Sequence, residues 1–298
     1  NEIVGYGARF AKKGDDFDYT REGAHSKPRI LFHEDETGKE ITSHLLEAVR
    51  KLENVRIIEH FTMVDIISEN NECFGIIGHN AEGEYSTITA DYTLLATGGI
   101  GGLYKHSTNF RHLTGDALAI ALKHNIALKN IDYIQIHPTT LYTKEKGREF
   151  LISESVRGEG AILLNSKGER FVNELLPRDV VANAIFDEMK KEGSEHVWLS
   201  FEKIPEEEIK HHFPNIYKKC LEEGYDVTKE SIPVVPSQHY FMGGIDIDRY
   251  GRTTMNRLYS AGETACNGVH GKNRLASNSL LESLVWGKRA AEHMIENY

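Results

Sequence analysis

Cysteine is scarce: Cys73, Cys220 and Cys266 are the only three in 298 residues. They are odd in number and far apart, with no CxxC and no zinc spacing. That excludes a disulfide framework and favours a reducing compartment, with the cytoplasm as the expected location. Histidine is plentiful at fifteen, yet no HxH or HExxH occurs. The adjacent His211 and His212 precede Phe213-Pro214 and read as a solvated helix end, so no metal site is predicted. A basic excess is also lacking. The formal net charge is −10 with Lys and Arg scattered, which argues against a nucleic-acid partner. No apolar run reaches the roughly 18–20 residues that span a membrane, and no signal-peptide pattern opens the chain. The full G-x-G-x-x-G dinucleotide fingerprint with its downstream acid is missing too. The chain opens on Asn1 and stops at Tyr298 directly after a predicted helix, so it is expected to be a piece of a longer protein.

What is present is globular in composition and long enough for one large domain or two ordinary ones. From about Val55 to Ala96 the residues alternate with the period of strands (VRIIEH, TMVDIISE, CFGIIGHN, YSTITA, DYTLLATGG), separated by Asn and Gly turns. Upstream, Thr42 to Leu52 has helical spacing with Leu45, Leu46, Val49 and Leu52 on one face; Gly115 to His124 is a second, more apolar helix. In the middle third, LLNSKGERFVN resembles a hairpin, and a helix is predicted from about Asp179 to Lys191. Val197 to Leu199 is a short strand, and Glu206 to Glu223 reads as a pair of charged helices. Strand rhythm returns after Pro233-Val-Val-Pro236. The pattern predicts an α/β protein: one nucleotide-binding type domain interrupted, near Lys129 and near His239, by an inserted domain.

Several stretches carry candidate chemistry. Thr93 to Gly99 (TLLATGG) is a buried-type strand ending in glycines, which allow close approach of backbone to a phosphate. His137 is biased to an extended conformation by Pro138. Ser153 to Gly160 (SESVRGEG) packs two acids, an arginine and two glycines into one short stretch, either as a functional cluster or as an internal Arg–carboxylate network that holds a turn. Asp179 is a plausible helix cap, with Arg178 turned away from the helix. Ser279-Leu280-Leu281-Glu282 reads S-x-x-E, a capping box. His137, Arg178, His239 and Arg274 together suit a small dicarboxylate, because guanidinium forks match carboxylate oxygens.

At these residues the chain resembles the succinate dehydrogenase/fumarate reductase flavoproteins. TREGAHS (Thr20 to Ser26), LLATGG, TGDALA, IHPTTLY, SESVRGEGA, LPRDVVA, QHYFMGG, LYSAGE and HGKNRLASNSLLESLVWG follow one another in family order over almost the whole length. The resemblance implies an FAD-binding, Rossmann-like α/β domain whose N-terminal part is missing, with an inserted α+β capping domain. The implied division is 1–130 and 239–298 for the FAD-binding domain and 131–238 for the capping domain. Non-covalent FAD would be contacted by Ala96, Thr97 and Gly98 at its phosphates, and by Asp116, Glu263, Asn278, Ser279 and Leu280 along the ribityl chain and ring. Arg274 and His239 would bind one substrate carboxylate, and His137, Ser153 and Glu154 the other end. Arg178 would act as the acid/base and Glu22 would meet an amino group. The TREGAHS and ASNSLLE wording implies L-aspartate, oxidised to iminoaspartate for NAD biosynthesis. Electrons would pass to oxygen or fumarate, and quinolinate synthase would be a possible partner. The short connection VNELL between Phe171 and Pro177 is closer to the fumarate reductase style. It keeps open a fumarate reductase or succinate dehydrogenase flavoprotein, and a catalytically silent binding fragment is the third alternative.

Overall fold

The computed structural model describes residues 2–20, 25–144 and 147–298. In chain order, α1 (Glu2–Gly5), the short hairpin β1 (Lys12–Lys13) and β2 (Asp16–Phe17), and α2 (Thr37–Arg50) come first. The strands β3 (Thr62–Glu69), β4 (Glu72–His79), β5 (Tyr85–Thr89) and β6 (Thr93–Leu95) follow, then α3 (Asp116–Lys123) and β7 (Leu128–Lys129). The middle holds β8 (Ile134–Leu141), β9 (Phe150–Leu151), α4 (Glu154–Gly158), β10 (Ile162–Leu164), α5 (Arg178–Glu192), β11 (Val197–Ser200), α6 (Glu206–His212), α7 (Pro214–Glu222) and β12 (Ile232–Phe241). The chain ends with β13 (Gly244–Asp246), β14 (Leu258–Ser260), β15 (Ala265–Cys266) and α8 (Asn278–Glu296).

Packing divides these elements into two units. The first comprises Asn1–Ile57 and Ile136–Ser237. Its sheet has the order β10-β11-β12-β8-β9, and α5 covers a core of Val156, Leu163, Val181, Ile185, Leu199 and Ile232, all 0 % exposed. α5 begins after Pro177, whose fixed φ of −51° suits a helix entrance, and ends on Gly193 in the left-handed region (φ 65°). α7 has Pro214 at its first turn, where a missing N–H costs nothing. α2 forms where helical spacing predicts it, but only Ile41 is buried. Of the four residues that the spacing places on one face, Leu46, Val49 and Leu52 are exposed and Leu45 is half-buried.

The second unit comprises Ile58–Gln135 and Gln238–Tyr298. The meander β3-β4-β5 opens with a tight hairpin: Glu69 pairs with Glu72 across Asn70-Asn71, both at positive φ (50° and 60°). That two-residue turn matches the twist of antiparallel strands, and asparagine tolerates it better than other non-glycine residues. VRIIEH does not form a strand; its residues 55–60 are exposed and unpaired with the sheet. Period-2 alternation without a neighbouring strand to accept its backbone groups leaves it extended loop. β6 and β14 pair in parallel, with Leu95 opposite Ser260. Leu95, Ala117, Ile120, Ile245 and Leu258 form the core beneath them.

Candidate active site

In the second unit the parallel strands β6 and β14 end side by side, and each runs into a glycine at positive φ, Gly98 (77°) and Gly262 (71°). The Thr264 hydroxyl donates to Gly98 O at 2.9 Å and lies 3.1 Å from the Thr97 hydroxyl, tying the two turns together. Directly after buried Leu95, Ala96 and Thr97 emerge exposed. The Glu263 carboxylate sits against Gly99, where an added Cβ would lie 2.5 Å from its Oε1. Phe241 N–H donates to the same oxygen at 2.9 Å. Burial pushes the Glu263 carboxyl up to about 7, reinforced by Glu282 and opposed by the Phe241 N–H and the charge of Arg274. Asp116 opens α3 after left-handed Gly115 and accepts from the Thr114 hydroxyl at 2.8 Å.

α8 starts differently from the S-x-x-E expectation. Ser277, with φ 63° and ψ −16°, occupies the N-cap and provides no side-chain cap. Asn278, Ser279 and Leu280 form the first turn, whose positive end favours a nearby anion. Glu282 does not reach back to cap the helix. Its carboxylate accepts from Tyr240 Oη at 2.8 Å and Asn267 Nδ2 at 2.5 Å, and His270 Nε2 lies 3.1 Å away. The capping-box spacing is therefore a coincidence; tertiary donors outcompete the local N–H. Buried Arg274 stacks its guanidinium 4.5 Å from the Tyr240 ring centroid. Gln135 Nε2 donates to Arg274 O and to Asn273 Oδ1, at 2.7 Å each, fixing the loop backbone. His239 is turned by Thr108, whose hydroxyl lies 2.7 Å from Nδ1.

The first unit carries its own candidate group. Arg178, the first residue of α5, donates from Nε to Glu154 Oε2 at 2.7 Å, and its Nη2 is 2.7 Å from the same oxygen. Arg157 lies across the same carboxylate, its Nη2 3.5 Å from Glu154 Oε1, and donates from Nη1 to Glu174 O at 2.7 Å. The Glu174 carboxylate accepts from Leu163 N and Arg170. Glu154, Arg157 and Arg178 are all at most 7 % exposed, so one carboxylate separates two desolvated guanidiniums. Burial lowers the Arg157 guanidinium from its ordinary value, and the charge of Arg178 adds to that against the pull of Glu154. Asp179 is the second residue of the helix and makes no side-chain cap; the N-cap is Pro177. A carboxylate there still favours the helix dipole. Ser153 caps α4, its Oγ accepting from Ser155 N at 3.4 Å. His137 is fully buried in β8 with Nδ1 at 3.1–3.2 Å from the Thr139 backbone, so the ring presents Nε2 on its other side. Glu22 lies outside the described residues.

The fold thus brings Ala96, Thr97, Gly98, Asp116, His239, Glu263, Arg274, Asn278, Ser279 and Leu280 into the second unit, and His137, Ser153, Glu154 and Arg178 into the first. Sequence reasoning missed Tyr240, Glu282 and Glu174. Tyr240 adjoins His239 and had a visible neighbour; Glu282 was legible only as a cap, and Glu174 stood in a linker without signal. A cleft of about 510 Å³ lined by Asp248, Arg252, Arg257, Tyr259 and His293 includes none of the candidate residues. Among the described residues no group of three His, Cys, Asp or Glu is arranged to hold a metal ion. His212 instead places Nδ1 2.9 Å from Glu159 Oε2.

Glycine turns at the carboxyl ends of parallel strands, next to the start of a long helix, define a nucleotide-binding α/β protein, and comparison makes the class specific. A family model described as an FAD binding domain matches residues 1–280, and the chain belongs to that family. It is 52 % identical to the L-aspartate oxidase of Clostridium perfringens over 292 residues, covering 98 % of this chain and 66 % of that protein. To the L-aspartate oxidase of Clostridium acetobutylicum it is 53 % identical over 296 residues, covering 98 % and 68 %. Among solved structures, E. coli quinol fumarate reductase FrdA superposes with a TM-score of 0.91 at 30 % identity, covering 99 % of this chain and 54 % of that one. The chain spans about two thirds of the length of these oxidases and about half of the solved structure.

FAD is the cofactor of this family, and the second unit fits it on structural grounds. The backbone after β6 is open at Ala96 and Thr97, the glycine turns permit close approach, and α8 begins without a side-chain cap. Among the described residues, no helix is long and apolar enough to cross a membrane.

Proposed function

We propose that the protein of which this chain is part oxidises L-aspartate to iminoaspartate with FAD, in NAD biosynthesis, passing electrons to oxygen or fumarate. The observation that carries the reading is Arg274: a buried guanidinium stacked on Tyr240, whose charge is felt by Glu263 beside the glycine turns. A buried cation in that place suits a carboxylate ligand. The identity to L-aspartate oxidases over nearly the whole chain supports aspartate among dicarboxylates.

FAD supplies the two-electron acceptor. The chain's own residues do the rest. Arg274 and His239 bind one carboxylate, and His137, Ser153 and Glu154 act on the other end of the substrate, which limits its motion and raises the fraction in reactive geometry. Glu22 meets the amino group. Arg178, paired with Glu154, acts as the acid/base or, in the role that asks less of a guanidinium, stabilises developing negative charge. The cofactor-binding domain is assigned to 1–130 and 239–298 and the capping domain to 131–238, with Ala96, Thr97, Gly98, Asp116, Glu263, Asn278, Ser279 and Leu280 on FAD. A cytoplasmic location is part of this reading, with quinolinate synthase as the consumer of the product. The structural likeness to a fumarate reductase supports the second reading, in which the same residues clamp a dicarboxylate without an amine.

Anaerobic titration of the FAD-loaded protein tests this. Bleaching of the flavin by L-aspartate and not by succinate is the expected result; bleaching by succinate alone sinks it. Arg274→Leu is expected to raise the aspartate concentration for half-bleaching by about 100-fold, the loss of a charge-assisted contact of about 3 kcal/mol, while flavin stays bound.

A further inference from the structure

Arg274 rests on a side chain that the proposed reaction does not use. Its guanidinium lies on one face of the Tyr240 ring, 4.5 Å from the centroid. The hydroxyl of that ring donates to Glu282 Oε2 at 2.8 Å, and the His270 ring meets it edge to face at 5.5 Å and 89°. Glu282 is only 5 % exposed. Besides Tyr240 it gathers Asn267 and His270 from the loop before Arg274, at 2.5 and 3.1 Å. One carboxylate on α8 therefore joins the end of β12 to both ends of the arginine's support: the ring beneath the guanidinium and the loop that carries its backbone. Burying an acid is costly unless donors surround it, and here each donor comes from a segment that bears on Arg274.

We propose that Glu282, acting through Tyr240 and His270, is a positioning residue that holds Arg274 in its carboxylate-binding pose. The proposal rests on the reading of Arg274 as a carboxylate ligand and names what aims it. A stacked arginine has one defined plane, so rotation of the Tyr240 ring turns the guanidinium fork with it. Asn267 and His270 keep the loop from shifting in the other direction.

Two variants of the FAD-loaded protein test this, Glu282→Gln and the milder Tyr240→Phe, which keeps the ring and removes only its hydroxyl. Two readouts are needed. The first is the rate at which phenylglyoxal modifies Arg274, followed by peptide mass spectrometry, which requires no substrate. The second is anaerobic flavin bleaching by L-aspartate, resolved into half-saturating concentration and limiting rate.

Modification of Arg274 is expected to accelerate at least fivefold in both variants. The half-saturating aspartate concentration is expected to rise about tenfold, with the limiting rate changed less than threefold and flavin content retained. The double variant is expected to match the stronger single variant, because both changes cut one connection. Unchanged Arg274 labelling in Tyr240→Phe and Glu282→Gln overturns the proposal, as does faster labelling with unaltered half-saturation. A loss of flavin or thermal stability with labelling and half-saturation unchanged in the remaining holoprotein makes Glu282 merely structural and also overturns it. If the unmutated protein is not bleached by aspartate, the substrate assignment falls, while labelling still decides whether Glu282 holds Arg274.

Discussion

The two units hold their buried arginines by opposite means. In the first, Arg178 and Arg157 share Glu154, so cation and anion are hydrogen-bonded side by side. In the second, Arg274 rests on an aromatic face, and the nearby carboxylate of Glu282 is occupied by a tyrosine, an asparagine and a histidine. The contrast separates two chemical uses of one residue type. An arginine bonded to a carboxylate has much of its field cancelled and its geometry fixed, which suits a group that must keep one orientation. An arginine on a π-face keeps its field largely available to an arriving anion, since the ring quadrupole attracts the cation without neutralising it.

Removing the shared anion breaks the comparison most severely. Glu154→Ala leaves Arg157 and Arg178 buried with no carboxylate between them, and a loss of about 3–5 kcal/mol of stability is expected. A urea unfolding midpoint unchanged from the parent would show that the first unit does not depend on the pair. Glu263→Gln probes the second unit's acid. Its carboxyl is raised from 4.5 to about 7 in the folded state, so the penalty is fully present above pH 7 and vanishes as pH falls through 4.5. The glutamine keeps the carbonyl that accepts from Phe241 N–H. The variant of the flavin-free protein is therefore expected to be more stable than the parent by about 2 kcal/mol at pH 8, and equal to it at pH 4. Equal thermal midpoints at both pH values would count against the raised carboxyl. Arg274→Leu sharpens the contrast by its small structural effect. It removes a stacked cation whose charge also reaches Glu263, and a stability change of about 1 kcal/mol is expected. A loss comparable to that of Glu154→Ala would mean that Arg274, too, is a structural ion.

Local pattern carried much of the fold. α3, α5, the pair α6 and α7, and β11 all lie where periodicity and turn residues predict them, because each signal is contained within a few consecutive residues. The strand β6 with its glycines was equally legible. What failed was partner choice. VRIIEH has the strand period but no adjacent strand, and S-x-x-E at Ser279 has the capping spacing but a glutamate drawn to Tyr240, 42 residues away. The alternative of an Arg–carboxylate network was already present in SESVRGEG, since both charges lie three residues apart on one turn. Its extension to Arg178, 24 residues from Glu154, was not. Glu174, which braces Arg157 through its carbonyl and Leu163 through its carboxylate, belongs to a connection with no periodic signal at all. Resemblance gave the candidate residues their roles, and the side-chain network showed how several of them are held.

The apolar residues on α2 and just after it bear on the chain as a solute. Leu46, Val49 and Leu52 face water, while the molecule carries a net charge of −10. Like-charge repulsion keeps such molecules apart at low ionic strength, and it is screened beyond about 8 Å at 0.15 M salt. The apolar residues are not screened at all. Added salt therefore shifts the balance from repulsion toward contact, and the chain's second virial coefficient is set to fall with ionic strength.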